Sequence, residues 1–411
     1  MSRNKALKIF RNEAGVDYLV PFLLIATLYR LWGCAHGLLD VLNKHFQEAF
    51  DMSKAQSGFV QFSVYIGYFV MALPAGWVMR RFGYKRGIIA GLLIFALGAL
   101  LFVPASFIHS PLPFFAALFI LACGLCLIEN GAHPCATGMG PGESAAQRIN
   151  IAAAANGVGW IVGPLLGGML IFGGSGEPFD LAKPYLLVGC FVLIVCLIFM
   201  RVRIPEAEMA ADEVRNAVAD GGNEGTEGSV WSHRHFKYAL IAQFLYVGAQ
   251  TGIGSYFVNY VLELDSSISK VAAAQLLSIG GMGLFFIGRL LSSLFMKWIS
   301  PGRLLALFGA LATLCMALVI GSFGYVSLAA LFMSFFFMST MFPTIFALGV
   351  RGMGDQTKKA SSLLVMCIVG GAVFPICMGL AGQNSMALGF LLPLAAFAYI
   401  TFFGIREVLY K

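Results

Sequence analysis

The sequence predicts an all-α membrane protein of twelve transmembrane helices in two six-helix halves, and three observations support this. Of 411 residues, 59% are hydrophobic and only 11% are charged, and the mean hydropathy of +0.83 is far above that of a soluble domain. The apolar runs are continuous over roughly 20 residues, the length that crosses a bilayer as a helix, and do not alternate as barrel strands do. The basic residues are also placed asymmetrically. With a cytoplasmic N-terminus, Lys44, Lys54, Lys183 and Lys270 fall on outer loops, Arg30 and Arg289 lie within spans, and the other 21 of 27 Lys and Arg lie inside. That bias places both termini in the cytoplasm. It also makes the net charge of +7 an orientation signal rather than a nucleic-acid footprint.

The spans are expected at about 18–43, 56–79, 86–106, 113–138, 148–173, 183–202, 237–262, 270–296, 303–322, 325–350, 358–381 and 386–407. Met1 to Arg11 is basic and polar, and the run after it is long enough to span, so the first helix is expected to stay in the bilayer uncleaved. That span carries YRLWGCAHGLLDVL, with Arg30, His36 and Asp40 in apolar surroundings. The second and third are joined by the basic turn MRRFGYKRGIIAGLL from Met79. The fourth holds LIENGAHP and the pair Cys123 and Cys126, which has no second pair to complete a zinc or redox site and is taken as packing. In the fifth, Gly157, Gly159 and Gly163 precede Pro164, a pattern for close helix approach and bending. The sixth ends before EAEMAADEVRNAVADGGNEGTEGSVW, acidic and Gly-rich, expected to be a flexible cytoplasmic linker at 204–235 between bundles at 1–203 and 236–411.

The second half repeats the first. LIAQFLYVGAQTGIG, Leu240 to Gly254, lies in the seventh span, and Arg289 and Lys297 near the end of the eighth are expected to snorkel or cap the cytoplasmic face. MKWISPGRLLALFGA from Met296 mirrors the turn at Met79, and FPTIFALGVRGMGDQTKKASS mirrors HPCATGMGPGESAAQ. VGGAVFP in the eleventh span matches GVGWIVGP in the fifth, and the twelfth closes the chain. Six spans repeated in one orientation are the organisation of the major facilitator fold, two pseudo-symmetric six-helix bundles around a central cavity.

The turn GWVMRRFGYKRG, Gly76 to Gly87, resembles that superfamily's signature loop between its second and third spans. The usual acidic residue is absent and Arg80 stands near its place, which removes any gating role carried by that acid. FVQFSVYIGYFVMALPAGWVMRRFGYKRGII, LIENGAHP, AQFLYVGAQT, FFIGR and FPTIFALG, in this order and on these spans, resemble the fucose permease family of sugar:proton symporters. The resemblance covers nearly the whole chain except the termini and the linker. It implies a monomeric secondary transporter of the bacterial cytoplasmic (inner) membrane, taking up a small sugar such as a hexose or deoxyhexose with a proton by alternating access and without a cofactor.

Of the 20 acidic residues, eighteen fall in loops, tails or the outermost turn of a helix, and only Asp40 and Glu129 lie within the spans. An ionised carboxylate there costs about 2.5–3.5 kcal/mol on an insertion scale, so it is expected to be paired, protonated or facing water. A proton carrier needs a group of that kind. By the resemblance, Asp40 matches the family's proton-accepting acid and Glu129 the acid that links protonation to sugar binding. Trp32 and His36 continue the face of Asp40 at intervals of four residues and are expected to line the cavity. Asn156 falls where the family places a sugar-binding asparagine, although a lone Asn in a Gly-rich helix can equally bond a neighbouring helix. Gln243, Tyr246 and Gln250 share one helical face, and amides with aromatic surfaces suit a sugar's hydroxyls and C–H faces.

Arg30 leaves two alternatives. It lies midway along span one at a depth similar to that of Glu129, so it is either the counter-ion of Glu129 or a reader of an anionic group, since guanidinium binds carboxylates bidentately. The second role shifts the cargo toward a sugar acid or another small polar solute. His36 fits either role, as a neutral hydrogen-bonding group or as a second titrating site. No G-x-x-x-x-G-K-[ST], H-E-x-x-H or paired His/Cys ligand set is present, so neither an enzyme, an ATP-driven pump nor a metal site is expected. An efflux antiporter is the nearer competitor, and sodium stays open as the coupling ion. The expected partners are the sugar, the proton and the lipid bilayer.

Overall fold

A computed structural model describes residues 17–140, 145–173, 179–202, 230–296, 298–351 and 357–409, together with positions 10, 204 and 353. Lys297 and residues 205–229 of the expected linker lie outside the described residues. In chain order the helices are α1 (Leu19–Ala49), α2 (Lys54–Phe82), α3 (Tyr84–Ala105), α4 (Leu112–Ala136), α5 (Ile151–Phe172), α6 (Phe179–Arg201), α7 (Arg234–Leu264), α8 (Lys270–Ser292), α9 (Pro301–Ile320), α10 (Tyr325–Val350), α11 (Leu363–Ala381) and α12 (Met386–Leu409). Among the described residues, eleven of these are long and apolar enough to cross a bilayer by length and composition, and α7 is the exception. Its 31 residues reach about 46 Å at 1.5 Å per residue, so length is not what separates it. From Tyr246 to Val261 every residue except Gln250 is buried. A helix enclosed by protein on all sides can carry Gln243, Thr251, Ser255 and Asn259 without exposing them to lipid.

Several helices are interrupted where the sequence supplies a cause. Pro164 in α5 is followed by a π-helical turn at Gly168–Phe172, α8 contains a π-helical stretch at Leu276–Met282, and a 3-10 turn at Cys367–Val369 precedes Pro375 in α11. The turn between α2 and α3 pivots on Gly83 at φ 84°, a conformation that a side chain would strain, and Lys85 at the start of α3 donates to the carbonyl of Met200 at the end of α6.

The chain forms two compact units that do not coincide with its sequence halves. The first comprises residues 1–37, 70–163 and 178–222, and the second comprises 38–69, 164–177 and 223–411, so the boundary passes through α1, α2 and α5. In the first unit, α3 packs on α4 and α6. There α5 crosses α1 in backbone contact: a Cβ at Gly159 would stand 2.2 Å from the Arg30 carbonyl oxygen, and one at Gly33 2.2 Å from that of Asn156. In the second unit α9 packs on α10 and α12, and α7 on α11. A Cβ at Gly370 of α11 would stand 2.2 Å from the Phe244 carbonyl oxygen of α7. The sequence repeat is thus also a repeat of packing, with α5 on α1 and α11 on α7 each seated on a glycine. Close approach of this kind replaces the hydrophobic drive that lipid does not supply between helices.

Candidate functional site

In the first unit, polar chemistry collects where α1 meets α4 and α5. Tyr29 is buried, and its hydroxyl lies 3.2 Å from Nδ1 of His133 on α4, with the two rings stacked at 5.3 Å. Trp32 stands edge-on to both rings, each at 6.1 Å. Glu129 lies one turn before His133 on the same face of α4, and its backbone carbonyl bonds the His133 imidazole. Trp32, Glu129 and His133 are all partly exposed. His36 is buried between the rings of Trp32 and Trp160, with Nδ1 3.2 Å from the Trp32 carbonyl. Asn156 is also buried and donates Nδ2 to the Tyr29 carbonyl at 3.0 Å, so its amide ties α5 to α1. Just past the end of α4, the buried guanidinium of Arg148 donates to the carbonyls of Ala136 and Gly140, which the helix end leaves without intrahelical donors.

Arg30 lies about 120° around α1 from His36, on an exposed face shared with Val20 and Leu23. Among the described residues it makes no ion pair with Glu129. The similar depth of the two residues does not bring them together in this structure, because their faces differ.

In the second unit, the last three turns of α1 lie along α7. Asp40 is 4% exposed, and a Cβ at Gly254 would stand 2.8 Å from each of its carboxylate oxygens, so the acid rests on bare backbone. Among the described residues, Asp40 has neither an ion pair nor a hydrogen bond. Asn43, one turn further on, and Ser255, next to Gly254, are fully buried, and among the described residues neither amide atom nor the hydroxyl has a hydrogen-bond partner. Two turns past Asp40, Gln47 and Asn259 exchange hydrogen bonds of 2.6 and 3.4 Å, which fixes α1 and α7 in parallel register.

Beyond this register the helix ends are bonded together. Lys54 at the start of α2 pairs with Glu263 at 2.5 Å and donates to the Gly382 carbonyl at 2.7 Å, while its own carbonyl accepts the Tyr256 hydroxyl at 2.6 Å. The other carboxylate oxygen of Glu263 accepts the Met386 amide at 2.7 Å, and Lys270 pairs with Glu48 at 2.5 Å. Tyr65 of α2 bonds Thr251 of α7 at 2.8 Å. In the turn after α7, the amide and hydroxyl of Ser267 with the Tyr325 hydroxyl hold the Asp265 carboxyl below its ordinary range.

Earlier along α7, Gln243 and Tyr246 are 0% exposed and have no hydrogen-bond partner among the described residues for the amide atoms or the hydroxyl, while Gln250 is half-buried. Arg289 does not reach for an interface. Its guanidinium lies 4.9 Å over the Phe285 ring, within electrostatic reach of the Tyr246 hydroxyl, and its Nε donates to the Ser339 carbonyl at 3.4 Å. A bent backbone that offers a carbonyl and an aromatic face holds this cation inside the second unit.

Of the residues singled out in the sequence, Trp32, His36, Glu129 and Asn156 thus belong to the first unit, and Asp40, Gln243, Tyr246 and Gln250 to the second. The sequence did not single out Tyr29, His133, Trp160 or the Lys54 network. The spacing of Glu129 and His133, one turn apart on α4, is the one signal that could have found any of them.

The family model of the Major Facilitator Superfamily matches residues 25–375. The chain is 34% identical over 412 residues to the L-fucose-proton symporter of Escherichia coli, covering 94% of this chain and 93% of that one. It is 33% identical over 389 residues to the glucose/galactose transporter of Brucella abortus, covering 93% and 92%. A crystal structure of the transporter FucP in the outward conformation matches with a TM-score of 0.67 at 33% identity, covering 95% of this chain and 99% of that one.

Proposed function

The chain belongs to the Major Facilitator Superfamily, and from that premise we propose that it takes up a small sugar together with a proton. It is a carrier and not an enzyme, and no cofactor enters the cycle. We assign the working halves to residues 1–203 and 236–411 with the linker at 204–235 between them, both termini cytoplasmic, in a bacterial inner membrane and as a monomer.

The observation that carries the proposal is the setting of Asp40: buried, against Gly254, and without a counter-charge among the described residues. Burying an ionised carboxylate unpaired costs several kcal/mol, and protonation removes that cost. Asp40 therefore admits the close seating of α1 on α7 when it carries a proton and opposes it when charged. The bonds of Gln47, Lys54, Lys270 and Tyr65 seal the outward ends of these helices once they are seated. Glu129 connects this step to cargo from α4, where it stands beside aromatic rings. Trp32, His36, Asn156, Gln243, Tyr246 and Gln250 are the proposed sugar contacts. The Gln243 amide and the Tyr246 and Ser255 hydroxyls on α7, which have no hydrogen-bond partner among the described residues, suit a polyhydroxylated solute better than a greasy one.

A carrier for a sugar acid is the second reading, favoured by one observation: Arg30 is exposed and makes no ion pair among the described residues. Uptake into proteoliposomes under an inward proton gradient tests both. Accumulation of L-fucose, D-glucose or D-galactose that collapses with the gradient supports the proposal. Accumulation of sugar acids alone moves Arg30 into the substrate site, and proton-driven export replaces symport with antiport.

A further inference from the structure

The tenth span, α10, is broken in its middle. It runs as Tyr325–Met338 and Met341–Val350, with Ser339 and Thr340 in a turn between them and Thr340 at φ −104°, ψ −5°. Pro343 is the cause. It has no N–H, so the carbonyl of Ser339, four residues earlier, loses the donor that a continuous helix would supply, and the proline ring crowds the same carbonyl. The Thr340 carbonyl is served locally, because the amide and hydroxyl of Thr344 both donate to it. The amide and hydroxyl of Ser339 turn back to the Phe336 carbonyl and leave its own carbonyl to be served from elsewhere.

That donor comes from α8. Gly288 lets α8 lie against the break, since a Cβ there would stand 2.5 Å from the Phe336 carbonyl oxygen and 2.6 Å from Ser339 Oγ. The next residue, Arg289, places Nε 3.4 Å from the Ser339 carbonyl oxygen while its guanidinium rests 4.9 Å over the Phe285 ring. Among the described residues no carboxylate stands beside it. A cation without a counter-charge is costly inside a span, so the carbonyl and the ring are what hold it there.

We propose that Arg289 is the latch of a hinge in α10: it replaces the donor that Pro343 withholds, holds the bend, and on release lets α10 change its bend during the transport cycle. The two residues form a matched pair. An unbroken helix has no carbonyl to offer Arg289, and the break without Arg289 leaves a carbonyl bare inside the span. A bond of 3.4 Å is long, which suits a contact that must open and close. Three residues past Ser339, the Phe342 ring lies 6.1 Å from that of Tyr246, so a change of bend is passed to α7. Arg289 is thus a positioning residue that acts through α10 and does not read the cargo. The hinge goes beyond the carrier reading and rests on it only for its effect on transport.

The test is a double-mutant cycle in the full chain, Arg289→Met and Pro343→Ala singly and together. Each variant is read by sugar counterflow in proteoliposomes and, in a background without native cysteines, by the distance between spin labels on Val326→Cys and Ala347→Cys, both exposed positions on either side of the break. Every cycle passes through the bent form, so Arg289→Met is expected to lower kcat about tenfold with KM within twofold, tenfold being the lower end for a lost hydrogen bond to a charged group. It also broadens the label distances. Pro343→Ala returns an N–H to the Ser339 carbonyl, and in that background Arg289→Met changes kcat and the distances by less than about twofold. Equal effects of Arg289→Met in both backgrounds, a rise in KM at constant kcat, or unchanged label distances overturn the latch. Where Arg289→Met alone does not fold, folding regained with Pro343→Ala supports the latch, and none regained overturns it. A parent that exchanges no sugar overturns the carrier reading, while the label distances still decide the latch.

Discussion

Replacing Lys54 with Met tests the proposed seal at the ends of α1, α2 and α7, where Lys54 joins α2 to α7. Its ammonium pairs with Glu263 at 2.5 Å and donates to the buried Gly382 carbonyl at 2.7 Å. The Glu263 carboxylate is 37% exposed, so the pair is discounted to less than about 1 kcal/mol. The charged hydrogen bond to a buried carbonyl is worth about 1.5 kcal/mol. Together roughly 2 kcal/mol of preference for the sealed state disappears, about thirtyfold in its population ratio. The assay is labelling of Ser255→Cys, in a background without the native cysteines, by a membrane-impermeant maleimide added outside. Ser255 is fully buried here, so labelling reports only the open state. While that state is the minor one, the rate is expected to rise about thirtyfold in Lys54→Met, somewhat less in Glu263→Gln, and little in Lys54→Arg. A rate within twofold of the parent in both Lys54→Met and Glu263→Gln refutes the seal.

Two further substitutions probe the first unit. Gly159→Leu drives a side chain into the Arg30 carbonyl, a 2.2 Å approach with backbone on both sides, and is expected to cost about 3 kcal/mol, read as an apparent melting point lower by roughly 5–10 °C. Asn156→Ala breaks the bond to the Tyr29 carbonyl and is expected to lower the melting point by roughly 2–4 °C while raising the counterflow KM about fivefold or more. An unchanged KM confines Asn156 to its helix-tying role.

The spans were legible because each is a continuous apolar run. Two of the three glycines before Pro164, Gly159 and Gly163, were read correctly as sites of close helix approach, since each faces the backbone of α1. The facing of Arg30 was not deduced. Depth along a helix can be counted from the sequence, but the neighbour of each face depends on how α1 is rotated against α4 and α5. The Lys54–Glu263 and Gln47–Asn259 bonds join residues about two hundred positions apart, so no local spacing signals them. The same holds for Tyr29 with His133. Asn156 could be read two ways because an amide in a Gly-rich helix serves a neighbouring backbone and a sugar with the same atoms.

Proton coupling at Asp40 is tested most directly by Asp40→Asn in proteoliposomes, with counterflow and gradient-driven uptake measured on the same preparation. The amide keeps the size of the acid against Gly254 and never carries a charge, as the protonated acid does not. Sugar exchange is therefore expected to persist while accumulation against a concentration gradient is lost. Accumulation by Asp40→Asn equal to that of the parent under an inward proton gradient would contradict the account.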